Sequence, residues 1–188
     1  VRKLLETESK IKNLGNLEFN NWNDITFDNV SAKYDEKQAV KKINIRFKPN
    51  KTYAFIGEVG SGKSTIGKLL LRLIDSSNGR ITIDSVEISN YTLESLRKNI
   101  GYVSQTPFLF SDTIANNVSF GNENLTREEI IEYLKLVKAD YVFDMPNGID
   151  TIIGENGVSL SGGEKQRLSL ARAIAKKPSV LILDDITS

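Results

Sequence analysis

Residues 57–65 read Gly57-Glu58-Val59-Gly60-Ser61-Gly62-Lys63-Ser64-Thr65, a glycine, four residues and then Gly-Lys-Ser. In this pattern glycines let backbone N–H groups close around phosphate oxygens, the lysine reaches the outer phosphates and the serine hydroxyl holds Mg2+. Such a nest has to lie between a strand and a helix. Residues 52–56 (Thr-Tyr-Ala-Phe-Ile) read as a short buried strand and residues 66–74 (Ile-Gly-Lys-Leu-Leu-Leu-Arg-Leu-Ile) as a helix, which sets the glycines at a helix N-terminus.

A second constellation is Leu160-Ser161-Gly162-Gly163-Glu164. Ser161 and Glu164, three apart, make a capping box for a helix expected over 165–177. An exposed serine and two glycines at a helix N-terminus also seat a γ-phosphate, and both readings can hold at once. A third is the apolar run Val180-Leu181-Ile182-Leu183, which ends in Asp184-Asp185.

Together these three segments resemble the nucleotide-binding domain of an ATP-binding cassette (ABC) transporter, over about residues 22–188, with Leu160 to Glu164 standing at the family's signature. The resemblance implies an α/β fold: a P-loop NTPase core with a mostly parallel sheet, an antiparallel β subdomain and an α-helical subdomain. It implies ATP and Mg2+ as ligands, with Ser64, Gln105 and Asp184 on the metal. It also implies a second such domain as partner, paired head to tail, so that Ser161, Gly162 and Gly163 touch ATP held at the partner's Lys63 site. Tyr34 stands where the family has an aromatic that stacks on adenine, a contact resting on ring stacking. Gln105 stands at the family's glutamine loop, near Mg2+ and the attacking water. Residues 107–114 (Pro-Phe-Leu-Phe-Ser-Asp-Thr-Ile) and 154–157 (Gly-Glu-Asn-Gly) resemble the exporter branch, where the first contacts coupling helices of the membrane domains and Glu155 would act as a relay.

The departure from the family pattern is Asp185, where most members carry glutamate to polarise the attacking water. Aspartate is one methylene shorter, so its carboxylate sits back by about 1.5 Å. A misplacement of about 1 Å near the chemistry can cost roughly a hundredfold in rate. Binding is therefore expected to survive better than hydrolysis. The motif resembles the weak half of a heterodimeric exporter; a tolerated substitution in a homodimer, or a regulatory half that does not power transport, are the other readings.

In the family a terminal aspartate loop and a histidine follow, and the chain contains no histidine, so it is expected to be a fragment with little ATPase activity of its own. Twenty-five Lys and Arg against 24 Asp and Glu leave a net charge of +1, with no global field to recruit nucleic acid or anionic lipid. Cysteine is absent, which removes thiolate metal sites and disulfides. No apolar run approaches the roughly 20 residues of a spanning helix. Residues 1–21 resemble the linker after an exporter's last membrane helix, or form a disordered leader, and attachment to the cytoplasmic face of the cell membrane would come from transmembrane domains fused upstream.

The surrounding elements are legible from periodicity. Ile43, Ile45 and Phe47 alternate with polar residues, as do Ile81 and Ile83, which predicts half-buried antiparallel strands. Residues 179–183 read, like 52–56, as a parallel strand covered on both faces. Thr126-Arg127-Glu128-Glu129 is a capping box, and Ile130, Leu134 and Val137 share the apolar face of the helix it opens. Soluble cassettes acting on DNA or ribosomes usually carry long coiled coils or tandem cassettes, and the short interval here leaves no room for a coiled coil; a P-loop kinase would have no reason to carry residues 160–164.

Overall fold

The structure, a computed structural model, describes residues 9, 11–122, 124–154 and 157–186. Its chain divides into two compact units, Val1–Arg97 and Lys98–Ser188.

The first unit is built on a four-stranded antiparallel sheet of β1 (Ile25–Tyr34), β2 (Lys37–Phe47), β3 (Asn78–Ile83) and β4 (Val86–Glu87), in the order β2-β1-β3-β4. The alternation expected around Ile43 to Phe47 and Ile81 to Ile83 is realised: Phe47, Ile81 and Ile83 are buried, and their polar neighbours face outward. β1 turns into β2 over two residues, with Tyr34 opposite Lys37 and Asp35 left-handed at φ 50°. Phe27, Phe47, Tyr53 and Phe55 stack edge to face below the sheet, with Phe47 central. Helix α1 (Lys63–Leu70) carries Ile66, Leu69 and Leu70 inward. It begins three residues earlier than expected and ends earlier too, because Arg72 turns left-handed at φ 46°.

Residues 52–56 form no strand among the described residues, which corrects the expectation of a buried one. A strand requires a neighbour for its N–H and C=O groups, and this segment pairs with neither sheet. It is held by side chains instead: Tyr53 and Phe55 pack on Phe47, the Lys48 N–H donates to the Tyr53 hydroxyl at 2.9 Å, and Ile56 is 96% exposed.

Residues 13–19 are bonded to the first unit. Asn13 Oδ1 accepts from Leu93 N at the start of α2 (Leu93–Asn99), and Leu17 exchanges backbone bonds with Asn90 and Thr92. Phe19 is fully buried edge-on against Tyr91. Gly15 passes so close to Tyr91 that an added Cβ would sit 2.3 Å from its carbonyl oxygen, a contact only glycine permits.

The second unit packs α3 (Ile114–Ser119), α4 (Arg127–Leu136) and α5 (Gly162–Ala175) around one apolar core beside a parallel pair, β5 (Ile100–Val103) and β6 (Val180–Leu183). Thr126 and Glu129 cap α4 reciprocally, and Ile130, Leu134 and Val137 enter the core as the periodicity predicts. From α5, Leu168, Ala171 and Ala175 fall at helical spacing on the same core. β6 is parallel to β5 as expected, yet it is not covered on both faces: Leu181 and Leu183 are 41% and 46% exposed. The alternation belongs to β6 alone, since β5 beside it is buried at Ile100, Gly101 and Val103.

Candidate functional site

In the first unit, Tyr34, Lys37, Gln38, Ala39, Gly60, Gly62, Lys63, Ser64 and Thr65 line one cavity of about 280 Å3. Gly60 and Gly62 to Thr65 of the predicted loop are thereby brought beside the aromatic expected to stack on adenine, whereas Gly57, Glu58, Val59 and Ser61 do not line the cavity and Val59 is fully exposed. Ser61 N donates to Glu58 O at 3.2 Å and Thr65 N to Gly62 O at 3.0 Å, which folds the loop onto the helix start. The Lys63 ammonium donates to Gly57 O at 2.7 Å and Glu58 O at 2.8 Å, so the lysine braces the loop from within. Gly62 is the N-cap of α1 at φ 93°, and no side chain caps the helix. Apart from Thr65 N, which turns back on Gly62 O, the first amides of the helix have no side-chain cap, the arrangement that suits an anion at a helix N-terminus. At Gly62 an added Cβ would meet Val40 Cγ1 at 2.5 Å and Ala39 O at 2.6 Å; at Gly60, with φ 83°, it would meet nothing within 4 Å. Lys37 to Ala39 were not anticipated from the motif; the tight turn after Tyr34 carries them back beside it. Lys68, one turn along α1, sits 5.6 Å from the Tyr34 ring centre, in cation–π contact. A larger groove, of about 580 Å3, lies on the outer face of the sheet between Asp28, Arg46, Arg80 and Glu87, away from these residues.

Gln105, Asp184 and Asp185 belong to the second unit and meet at the ends of β5 and β6. Asp184 N donates to Val103 O at 2.9 Å, continuing the parallel ladder. Gln105 Nε2 donates to Asp185 Oδ2 at 2.8 Å, and the Tyr102 hydroxyl donates to Asp184 Oδ2 at 2.8 Å. Asp185 is left-handed at φ 51°, a conformation that aspartate tolerates better than most residues. Among the described residues no group of three or more His, Cys, Asp or Glu side chains gathers as a metal site.

The signature lies at the start of α5. Ser161 Oγ accepts from Glu164 N at 3.3 Å, and Glu164 Oε2 accepts from the Ser161 N–H and hydroxyl, each at 2.7 Å. The Ser161 hydroxyl, and then its amide, hold the Glu164 carboxyl below its ordinary value. The helix starts at Gly162, not at 165, because the cap is Ser161 itself. Leu160 is buried as an anchor, while Ser161, Gly162 and Gly163 are exposed, with open space where a Cβ would lie on either glycine. The capping reading is thus realised, and the glycines remain open to approach. Tyr141 supports the first turn by donating to Glu164 O at 3.1 Å, and burial pushes its phenol up.

The other end of α5 holds the segment after Gln105. Arg172 donates to Asn117 O at 2.7 Å, Asn117 Oδ1 at 2.7 Å and Phe108 O at 2.8 Å, with its guanidinium over the Phe110 and Phe120 rings. Asn117, almost wholly buried, donates to Phe110 O and Thr113 O and accepts from Phe110 N. The result is a surface patch of Phe108, Phe110 and Phe120 whose backbone is bonded by Arg172 and Asn117, Phe108 being 66% exposed. Phe120 and the two polar hubs were not foreseen from sequence. Glu155 lies outside the described residues.

A family model described as "ABC transporter" matches residues 40–188. The chain belongs to the ABC transporter family. It is an ATP-binding, ATPase-type domain of that family, with the α/β organisation its motifs imply, and exporters are among its relatives. An uncharacterised ABC transporter ATP-binding protein of Bacillus subtilis is 41% identical over 191 residues, covering 100% of this chain and 33% of that protein. An ATP-dependent lipid A-core flippase of Haemophilus ducreyi is 45% identical over 168 residues, covering 87% and 29%. A solved bacterial Atm1-family ABC exporter with ATP bound superposes with a TM-score of 0.90 at 37% identity, covering 98% of this chain and 33% of that one. The chain thus spans about a third of the length of these relatives. No described helix is long and apolar enough to cross a membrane.

Proposed function

We propose that the chain is the nucleotide-binding domain of an exporter and powers transport by ATP-driven closure against a second such domain. The observation that carries this reading is the single cavity in which Tyr34, the side-chain-free start of α1, Lys63 and Ser64 converge. Tyr34 stacks on the base, the amides of Gly60 and of Gly62 to Ser64 take the phosphates while those of Ser61 and Thr65 hold the loop's shape, and Lys63 swings from the loop carbonyls to the outer phosphates. Charge developing on the transferred phosphoryl group is met by these donors, as positioning and electrostatics do most of the work in such reactions. Ser64 in the first unit is an oxygen ligand suited to Mg2+, as are Asp184 and Gln105 in the second, and the metal would supply further neutralisation of that charge. Ser161, Gly162 and Gly163 close over the γ-phosphate in the partner's site; the open space at both glycines supports that approach. Replacing Lys63 by alanine tests the reading: ATP affinity of the intact protein should be lost, and unchanged affinity would remove it.

Motion passes from the closing pair through the segment after Gln105 to membrane helices, where Phe108, Phe110 and Phe120 offer the apolar contact. Residues 22–188 would form the cassette and residues 1–21 a segment leading in from a membrane domain, of which residues 13–19 already pack on the first unit, with Phe19 buried; the cassette would lie on the cytoplasmic face. A second reading is that the site built on Asp185 binds ATP and turns it over slowly, as the weak half of a heterodimer. It is favoured by the shorter carboxylate and by its bond to Gln105. Turnover of the intact protein with Asp185→Glu decides it: a gain of about tenfold or more supports a weak site, whereas no gain makes Asp185 a tolerated substitution.

A further inference from the structure

We propose that Tyr102 is a positioning residue for the Asp184 carboxylate, fixing it in the rotation that serves Mg2+. This rests on the reading of Asp184 as a metal-linked residue.

The parallel register sets Tyr102 opposite Ile182 and Val103 opposite Leu183, and the ladder continues with Asp184 N donating to Val103 O at 2.9 Å. The backbone of Asp184 is thereby fixed, and of its two side-chain torsions the last rotates in a broad, two-fold well. The Tyr102 hydroxyl removes that freedom by donating to Oδ2 at 2.8 Å. Tyrosine suits the task because its ring is rigid and half-buried on the strand, so the hydroxyl arrives in one place. A carboxylate offers about four lone-pair directions, of which one hydroxyl proton occupies one while orienting the group. Hydrogen-bond partners of metal-binding side chains commonly account for about 10- to 100-fold of metal affinity. The neighbouring carboxylate, Asp185, is oriented by Gln105, so β5 and its exit loop hold both acidic side chains at the end of β6.

The test is the affinity of the intact protein for ATP, titrated with free Mg2+ and repeated in EDTA, for the parent, Tyr102→Phe and Asp184→Asn. Phenylalanine keeps the ring and deletes only the donor. Tyr102→Phe is expected to raise the half-saturating Mg2+ concentration about tenfold while leaving affinity in EDTA unchanged. Asp184→Asn is expected to abolish the Mg2+ response. If Asp184→Asn abolishes it but Tyr102→Phe titrates like the parent, the positioning role is overturned and the metal assignment stands. A Tyr102→Phe loss that is equal in EDTA and in Mg2+ marks a packing role and likewise overturns it. If Asp184→Asn leaves the Mg2+ response intact, the metal assignment itself is wrong and the positioning role falls with it.

Discussion

Replacing Gly62 by alanine probes the nucleotide loop at its least forgiving point. At φ 93° an L residue pays about 1–2 kcal/mol for left-handed backbone. The new Cβ would also lie 2.5 Å from Val40 Cγ1 and 2.6 Å from Ala39 O, well inside ordinary contact. Val40 is buried and Ala39 O is backbone, so neither yields cheaply, and overpacking of this kind costs about 1–3 kcal/mol. The loop can escape only by leaving the conformation that presents its amides, so the combined cost of about 2–5 kcal/mol is drawn from nucleotide binding. At about 1.4 kcal/mol per tenfold, ATP affinity should fall roughly thirty-fold to a few thousand-fold. Gly60 supplies the control: φ is 83°, but nothing lies within 4 Å of an added Cβ, so Gly60→Ala should cost only the backbone term, about 5- to 30-fold. The assay is titration of the intact protein with a fluorescent ATP analogue, with circular dichroism to confirm folding. Equal losses at the two glycines, or parental affinity in Gly62→Ala, would refute the reasoning.

Ser161→Ala removes the acceptor for Glu164 N and should lower the denaturation midpoint by an amount worth about 1 kcal/mol, with Ser161→Asn restoring it; an unshifted midpoint argues against the cap. Leu168→Ala empties the centre of the second unit's core and should cost about 2–5 kcal/mol in urea unfolding, while a loss under 1 kcal/mol would contradict its burial. Asp150 and Asp24 are held below the ordinary value of 3.8 chiefly by hydrogen bonds from Arg127 and Arg46, and Glu129 below 4.5 chiefly by the Thr126 amide. Groups with a depressed folded pKa contribute stability above their unfolded value and lose it as pH falls through the folded one. The thermal midpoint should therefore decline as pH drops below about 4, and a flat profile between about pH 5 and pH 3 would contradict these pairings.

The parts of the site that depend on short-range pattern were legible in the sequence. Both capping boxes, at Ser161 and Thr126, form as written, because serine or threonine and glutamate three apart satisfy each other without help from distant chain. The strands around Phe47 and Ile83 likewise carry their alternation into the fold. Residues 52–56 misled because an apolar run states that burial is favourable but not which strand would supply its hydrogen bonds. The end of α1 was misjudged because residues 71–74 stay apolar past the point where Arg72 turns left-handed. The contacts of Tyr102 with Asp184 and of Arg172 with Asn117 bridge 82 and 55 residues. They follow from strand register and helix packing, which no local pattern encodes.

The claim on which the account depends is that ATP at the Lys63 site draws in the Ser161 loop of a second cassette. The most direct measurement is the distance between probes on the two cassettes of the intact protein, taken with and without Mg2+ and ATP, for the parent, Lys63→Ala and Ser161→Arg. The account predicts closure in the parent, no nucleotide binding and no closure in Lys63→Ala, and retained ATP binding without closure in Ser161→Arg. Closure in Ser161→Arg equal to that of the parent, or a parent whose distance ignores ATP, would contradict it.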